Sequence, residues 1–181
     1  MKRYILTGAP GAGKTSIIRA LAAKGHVVVE EAATDVIAAE HARGNLEPHT
    51  DPAFIEAITA LQKQRQTTAP ASPSGVQFFD RSSICTHALS TFLGYPVPPS
   101  LAREVERMAA EGIYERRVFF IDNLGFVEPT AARRISFEDS LAFEKVHVST
   151  YKALGYTCVV IPAAPLVDRV AAIEAHVRAW A

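Results

Sequence analysis

Gly8-Ala9-Pro10-Gly11-Ala12-Gly13-Lys14-Thr15 is the stretch that decides the fold. It fits the pattern G-x-x-x-x-G-K-[ST], with the apolar run Tyr4 to Thr7 before it and helical spacing over Lys14 to Ala23 after it. A strand that feeds a glycine turn and then a helix is what phosphate binding needs. The glycines let the backbone wrap close to a ligand with successive N–H groups pointing inward, and the positive N-terminal field of the helix holds the anion. In such a cradle Lys14 reaches the β- and γ-phosphates, Thr15 offers its hydroxyl oxygen to Mg²⁺, and Ser16 supports the helix start. Guanine-reading Asn-Lys-x-Asp and Thr-Lys-x-Asp segments are absent, which favours ATP over GTP.

Outward from the loop, short β-rich runs recur at Val27 to Val29, Val76 to Asp80, Val118 to Asp122 and Thr157 to Pro162. Helical spacing predicts helices over Ala33 to Ala42, Pro52 to Gln66, Ile84 to Leu93, Leu101 to Ala110, Phe137 to Leu154 and Leu166 to Ala179. The strands are nearly continuously apolar, as a parallel sheet covered on both faces demands. Alternating β and α segments then imply right-handed crossovers and a three-layer α/β fold of the P-loop NTPase type with a five-stranded parallel sheet. Ligands in such sheets bind beyond the carboxyl ends of the strands. The proline-bearing stretches Gly44 to Pro52, Thr67 to Gly75 and Gly94 to Ser100 read as loops and turns inside one domain spanning residues 1–181.

Three carboxylate positions fall at predicted strand ends. Asp80 closes Phe78-Phe79-Asp80 and is the preferred Mg²⁺-holding Walker B residue, because Arg81 and Ser82 follow it and a phosphate site gains from a nearby guanidinium. Asp122 closes a similar run and is the competing candidate, with a turn or cap as its plainer role. Glu30 and Glu31 end the second strand; side chains alternate along a strand, so one of the two is expected to face the site and accept a proton from a substrate hydroxyl.

With 19 basic and 19 acidic residues the chain carries no global field that draws it to nucleic acid or an anionic membrane. Cys85 and Cys158 are too far apart for a CxxC motif and have no metal-ligand spacing with histidine, so the sequence indicates neither a disulfide framework nor a zinc site. No apolar run reaches transmembrane or signal-peptide length, and the expected location is the cytoplasm. His41 and His49 flank the Gly44 to Pro52 loop, and His87 follows Asp80-Arg81; lone helical histidines are more often packing or surface residues than catalysts. Phe54, Phe92, Phe126 and Phe137 are read as packing residues, and Trp180 as a dock for the last helix or a subunit contact.

The phosphate loop, the acid pair after the second strand, Asp80-Arg81-Ser82 after the third, Ile135 to Ser140 and the Val159 to Pro162 strand together resemble the NadR-like P-loop ATPase and kinase family. That family is similar to ribosylnicotinamide kinase domains and, more distantly, to deoxynucleoside kinases. The resemblance implies strand order 2-3-1-4-5, a base at Glu30 or Glu31, metal and phosphate service by Asp80 and Arg81, and lid arginines at Arg133 and Arg134. It also implies backbone contacts to adenine near Pro162 to Pro165. The function expected on these grounds is transfer of the ATP γ-phosphoryl group to a hydroxyl of a small nucleoside-like metabolite. The alternative is a nucleotide-dependent ATPase or binding module acting as a regulatory switch, and a mechanical ring ATPase comes third because its helical lid needs more chain.

Overall fold

In the computed structural model, which describes residues 1–125 and 135–180, a five-stranded parallel sheet has the order β2-β3-β1-β4-β5. The elements run β1 (Lys2–Thr7), α1 (Lys14–Ala23), β2 (Val27–Val29), α2 (Ala32–Ala42), α3 (Ala53–Thr68), β3 (Val76–Asp80), α4 (Ser83–Phe92) and α5 (Pro99–Ala110), then β4 (Arg117–Ile121), α6 (Phe137–Ala153), β5 (Thr157–Ile161) and α7 (Leu166–Ala179). This is the expected order, and it sets the phosphate-loop strand β1 between β3 and β4.

Alternation along the central strands builds two cores. Tyr4, Leu6, Phe78, Phe119 and Ile121 face the layer of α1 and α7, where they meet Ile17, Leu21, Val170 and Ile173. Ile5, Phe79 and Val118 point the other way, against Ile84, Met108 and Tyr151 of α4, α5 and α6. Two-sided burial explains why these strands read as continuous apolar runs. Beyond the β2 edge, Ala32 and Val36 of α2 pack on Phe54 and Ile58 of α3, forming a helical wall beside the strand ends.

Boundaries move by a few residues where capping chemistry decides them. Ser82 accepts a bond from the Ile84 N–H and so starts α4 at Ser83 rather than Ile84. Pro99 sits in the first turn of α5, where its missing N–H costs nothing, so the proline-rich loop ends two residues earlier than its composition predicts. The Gly44 to Pro52 loop contains a short 3₁₀ turn at Pro48–Thr50. Trp180 docks the chain's end, its ring 5.4 Å from that of Phe119 and nearly parallel to it, with the Arg117 guanidinium over its face. Among the described residues no helix is long and apolar enough to cross a membrane.

Candidate functional site

Because all five strands are parallel, the ends of β1, β2 and β3 deliver the phosphate loop, Glu31 and Asp80 to one edge of the sheet. Leu6 lies in register with Asp80, so the residues that follow the two strands are neighbours by construction. Gly8, Gly11 and Gly13 have φ values of 131°, 87° and 86°, a region that L side chains rarely adopt, and this coils the loop tightly before α1. Gly13 is the N-cap of α1, and Lys14 and Thr15 occupy its first turn.

Lys14 is buried, and its ammonium donates to the carbonyls of Gly8 at 3.1 Å and Ala9 at 2.8 Å. Burial and then the nearby Arg81 charge pull its pKa down to about 7. The Thr15 hydroxyl donates to Oδ2 of Asp80 at 3.3 Å. Asp80 is also buried, its Oδ1 has no partner among the described residues, and burial followed by repulsion from Glu31 pushes its pKa up to about 6. Two hard oxygen donors side by side, one belonging to a carboxylate with an unsatisfied buried oxygen, suit a divalent cation such as Mg²⁺. Asp80 rather than Asp122 therefore has the geometry of a metal residue. Asp122, just past the end of β4, instead accepts the Asn123 N–H through its own Oδ1.

Glu30 and Glu31 lie past the end of β2 rather than in it; Glu31 is the N-cap residue of α2 and lines the same cleft as Lys14, Thr15 and Arg81. Its Oε1 accepts from Nε of Arg81 at 2.7 Å and its Oε2 from the Thr34 hydroxyl at 2.8 Å. Burial pushes the carboxyl pKa up, but Arg81 and Lys14 outweigh it and hold the group ionised, below its usual range. Glu30 is exposed and lies outside the lining of this cleft. Of the acid pair, then, Glu31 faces the site and Glu30 does not.

Arg81 has φ 72°, a left-handed backbone at a residue that is not glycine. Such strain persists only where the surroundings fix it, and here they do so from two sides. Nε pairs with Glu31, and Nη1 donates to Nε2 of His147 at 3.1 Å. His147 is fully buried on α6 and its Nδ1 donates to the Phe143 carbonyl at 3.0 Å, which leaves Nε2 as the acceptor Arg81 needs. Burial, then the Arg81 charge, depress the His147 pKa well below its ordinary value, so the ring is neutral.

The cleft has a volume of about 1030 Å³. Pro10, Gly11, Gly13, Lys14, Thr15 and Ser16 line its phosphate end, while Gly8, Ala9 and Ala12 form the loop behind. The rest of the lining is mixed: apolar Ile37, Phe54, Ile58, Leu89, Phe92 and Phe143 are joined by polar Gln62, Thr86 and Asp139, and His41 and His49 also line the cleft. Phe54 and Phe92 thus pack, as expected, and also face the cleft; Phe92 lies 4.8 Å from Phe143, ring to ring. His87 is half-buried on α4 and lies outside the lining. Arg133, Arg134 and Phe126 lie outside the described residues.

Sequence reading missed His147 and Arg169, both buried and both bonded to the site. Arg169 on α7 contacts Ala12 across 157 positions of chain, and no local pattern encodes such a contact. For His147 a faint signal existed, since it stands four residues after Phe143 on the inward face of α6.

The chain belongs to a family described as AAA domain, whose model matches residues 3–169. No curated protein matches the sequence. Among solved structures the chain is similar to the NadR protein in complex with NR, with TM-score 0.68 and 15% identity, covering 96% of this chain and 51% of that one. It is also similar to the NadR protein in complex with NAD and AMP-PNP, with TM-score 0.64 and 17% identity, covering 97% of this chain and 48% of that one. Deoxyadenosine kinase from M. mycoides with product dCMP and a flexible dCDP matches with TM-score 0.62 and 11% identity over 99% of this chain and 100% of that one. The chain spans about half the length of the NadR proteins and the full length of the deoxyadenosine kinase. Its fold is the P-loop kinase fold that these structures share.

Proposed function

We propose that this member of the AAA domain family is an ATP-dependent phosphotransferase, which moves the γ-phosphoryl group to a hydroxyl of a small nucleoside-like metabolite. The observation that carries this reading is that Lys14, Thr15, Arg81 and Glu31 line one cleft together with aromatic Phe54, Phe92 and Phe143 and the polar pair Gln62 and Thr86, an extension fit for a flat acceptor with polar edges. A simple hydrolase has no need of so large an extension, whereas an acceptor with a flat body and a hydroxyl does. The similarity to a deoxyadenosine kinase and to a NadR protein solved with AMP-PNP supports the same reading.

In this mechanism the N–H groups of the Gly8 to Thr15 loop and the Lys14 ammonium bind the β- and γ-phosphates of ATP. Thr15 and Asp80 would hold Mg²⁺, which would supply positive charge beside the phosphate oxygens. Arg81, fixed by Glu31 and His147, sets a guanidinium beside the transferring group and stabilises the charge that develops there. Glu31 orients the acceptor hydroxyl and takes its proton as the new O–P bond forms and ADP leaves. The apolar part of the lining keeps water away from the γ-phosphorus, so the acceptor is the nucleophile. Arg133 and Arg134, following the family resemblance, are proposed as further cations that serve the phosphates.

The test is ATP consumption by the purified protein with Mg²⁺, with and without a panel of nucleosides, ribosides and small hydroxylated metabolites, using Lys14→Ala as control. Acceptor-dependent ADP release that vanishes in the control supports the kinase. Slow, acceptor-independent hydrolysis favours the nucleotide-dependent switch instead, and unchanged ATP affinity in Lys14→Ala refutes the site.

A further inference from the structure

Arg169 is a buried cation that none of these roles uses. It stands in the first turns of α7 and is 3% exposed. Its Nη1 donates to the Ala12 carbonyl at 2.9 Å and its Nη2 to the Asp122 carbonyl at 2.8 Å. Its Nε is buried without a partner, and among the described residues no carboxylate lies within ion-pair distance of the guanidinium. A guanidinium does not lose its proton inside a protein, and a desolvated charge without a counter-charge is costly. Two carbonyl dipoles and a distant Asp122 carboxylate are a meagre return for that burial.

The geometry of the loop supplies a reason. A trans peptide is planar, with carbonyl and N–H pointing to opposite sides. Arg169 holds the Ala12 carbonyl on the α7 side, and this turns the N–H of the following Gly13 away from α7. Ala12 is fully buried, whereas Gly13 lines the cleft, so that N–H faces the ligand side. Among the described residues the Gly13 N–H has no acceptor. A Cβ on Gly13 would come within 3.2 Å of Nη1 of Arg169, so the guanidinium lies directly behind this peptide.

We infer that Arg169 is a positioning residue for the phosphate site: it orients the Ala12–Gly13 peptide toward a bound phosphate, and the nucleotide's phosphate is the counter-charge that its buried guanidinium lacks. The inference rests on reading the loop as a nucleotide-phosphate cradle. It follows that α7, the end of β4 and the loop act as one unit. Whatever binds the phosphate end also tightens the docking of α7, because each stabilises the charged arrangement the other needs.

The experiment titrates ADP·Mg²⁺ and, separately, inorganic tripolyphosphate into the unaltered protein, Arg169→Gln and Arg169→Lys, below the melting range of all three. Arg169→Gln keeps a donor for one carbonyl but no charge. It is expected to bind both probes about tenfold to a hundredfold more weakly, the usual consequence of losing charged hydrogen-bonding support for an anion. Arg169→Lys keeps the charge and is expected to recover most of that loss. A purely structural arginine would lower the melting temperature of Arg169→Gln while leaving both affinities unchanged in the folded protein, and that result overturns the inference. A Lys variant as weak as the Gln variant overturns the role given to the charge. Should Arg169→Gln fail to fold, hydrogen exchange on the unaltered protein decides. ADP is expected to slow exchange in the α7 backbone, and no change there overturns the coupling. Absence of ADP binding by the unaltered protein overturns the nucleotide reading and this inference together, whereas normal binding with an indifferent Arg169→Gln overturns this inference alone.

Discussion

Replacing Gly8 by alanine tests the closest approach in the site. A Cβ at Gly8 would lie 2.4 Å from the carbonyl oxygen of Ile121 and 3.3 Å from that residue's carbonyl carbon and amide nitrogen. All three atoms are backbone of the buried Ile121, at the end of a strand that pairs with β1 on one side and β5 on the other, so they have nowhere to retreat. Relief needs a shift of at least roughly half an ångström in the loop or in the centre of the sheet, and overpacking of this kind costs about 1–3 kcal/mol. The φ of 131° adds a separate cost, since a backbone conformation foreign to L residues is worth about 1–3 kcal/mol. Gly44→Ala isolates the second effect, because Gly44 has φ 88° and its Cβ would meet nothing within 4 Å. Urea unfolding followed by circular dichroism, extrapolated to water, should therefore show Gly8→Ala destabilised by about 2–6 kcal/mol and by clearly more than Gly44→Ala. ADP affinity should fall in the same variant, since a displaced loop misaims its N–H groups. If Gly8→Ala costs no more than Gly44→Ala, the loop does not pass against β4 as described, and the account of the cradle fails with it.

Asp80→Asn should stabilise the ligand-free protein at pH 7 by on the order of 2 kcal/mol while weakening Mg²⁺-dependent ADP binding at least tenfold, since it removes a buried charge that the fold disfavours. The sign follows from the raised pKa: the folded carboxyl binds its proton up to about 6 and the unfolded one only to 3.8, so the stability gap opens as pH rises between those values. Equal melts of variant and parent at pH 7 would contradict it. His147, depressed below its usual 6.5, works in the opposite direction: its neutral state supports the fold above that pH and the support is lost on acidification. Between pH 6.5 and 5.5 the parent should lose about 1 kcal/mol more than His147→Phe, and parallel urea-derived stability curves would rule this out. Glu31→Gln should cut acceptor-dependent turnover about a hundredfold with ATP affinity little altered, and Glu30→Gln, exposed and outside the cleft, should leave turnover within about twofold. Comparable loss in both variants would mean that orientation at the end of β2 does not select between them.

The phosphate loop and the alternation of strands and helices were legible because each is a local pattern. A glycine turn between an apolar strand and a helix start carries its own chemistry, and a twice-buried strand shows itself as an unbroken apolar run. The sequence favours Asp80 over Asp122 through its Arg81-Ser82 neighbours and through the strand order that the family resemblance implies. What decides between them is the pairing of β1 with β3, which brings Thr15 to one carboxylate and leaves the other just past the end of β4. The acid pair is legible only as a pair, since both acids lie past the end of β2, in the turn of backbone into α2 whose course the sequence does not give.

By itself, then, the sequence determined the fold class, the cradle residues Gly8 to Thr15 and a short set of candidate acids and bases, all of them properties of contiguous chain. Tertiary structure alone decided that Glu31 and not Glu30 faces the cleft, that a neutral His147 holds Arg81 in a strained backbone, and that Arg169 grips the loop from behind. The reason is physical. Burial and charge pairing are set by residues brought together across 66 and 157 positions, and a desolvated arginine or histidine looks like any other helix residue until the fold closes around it.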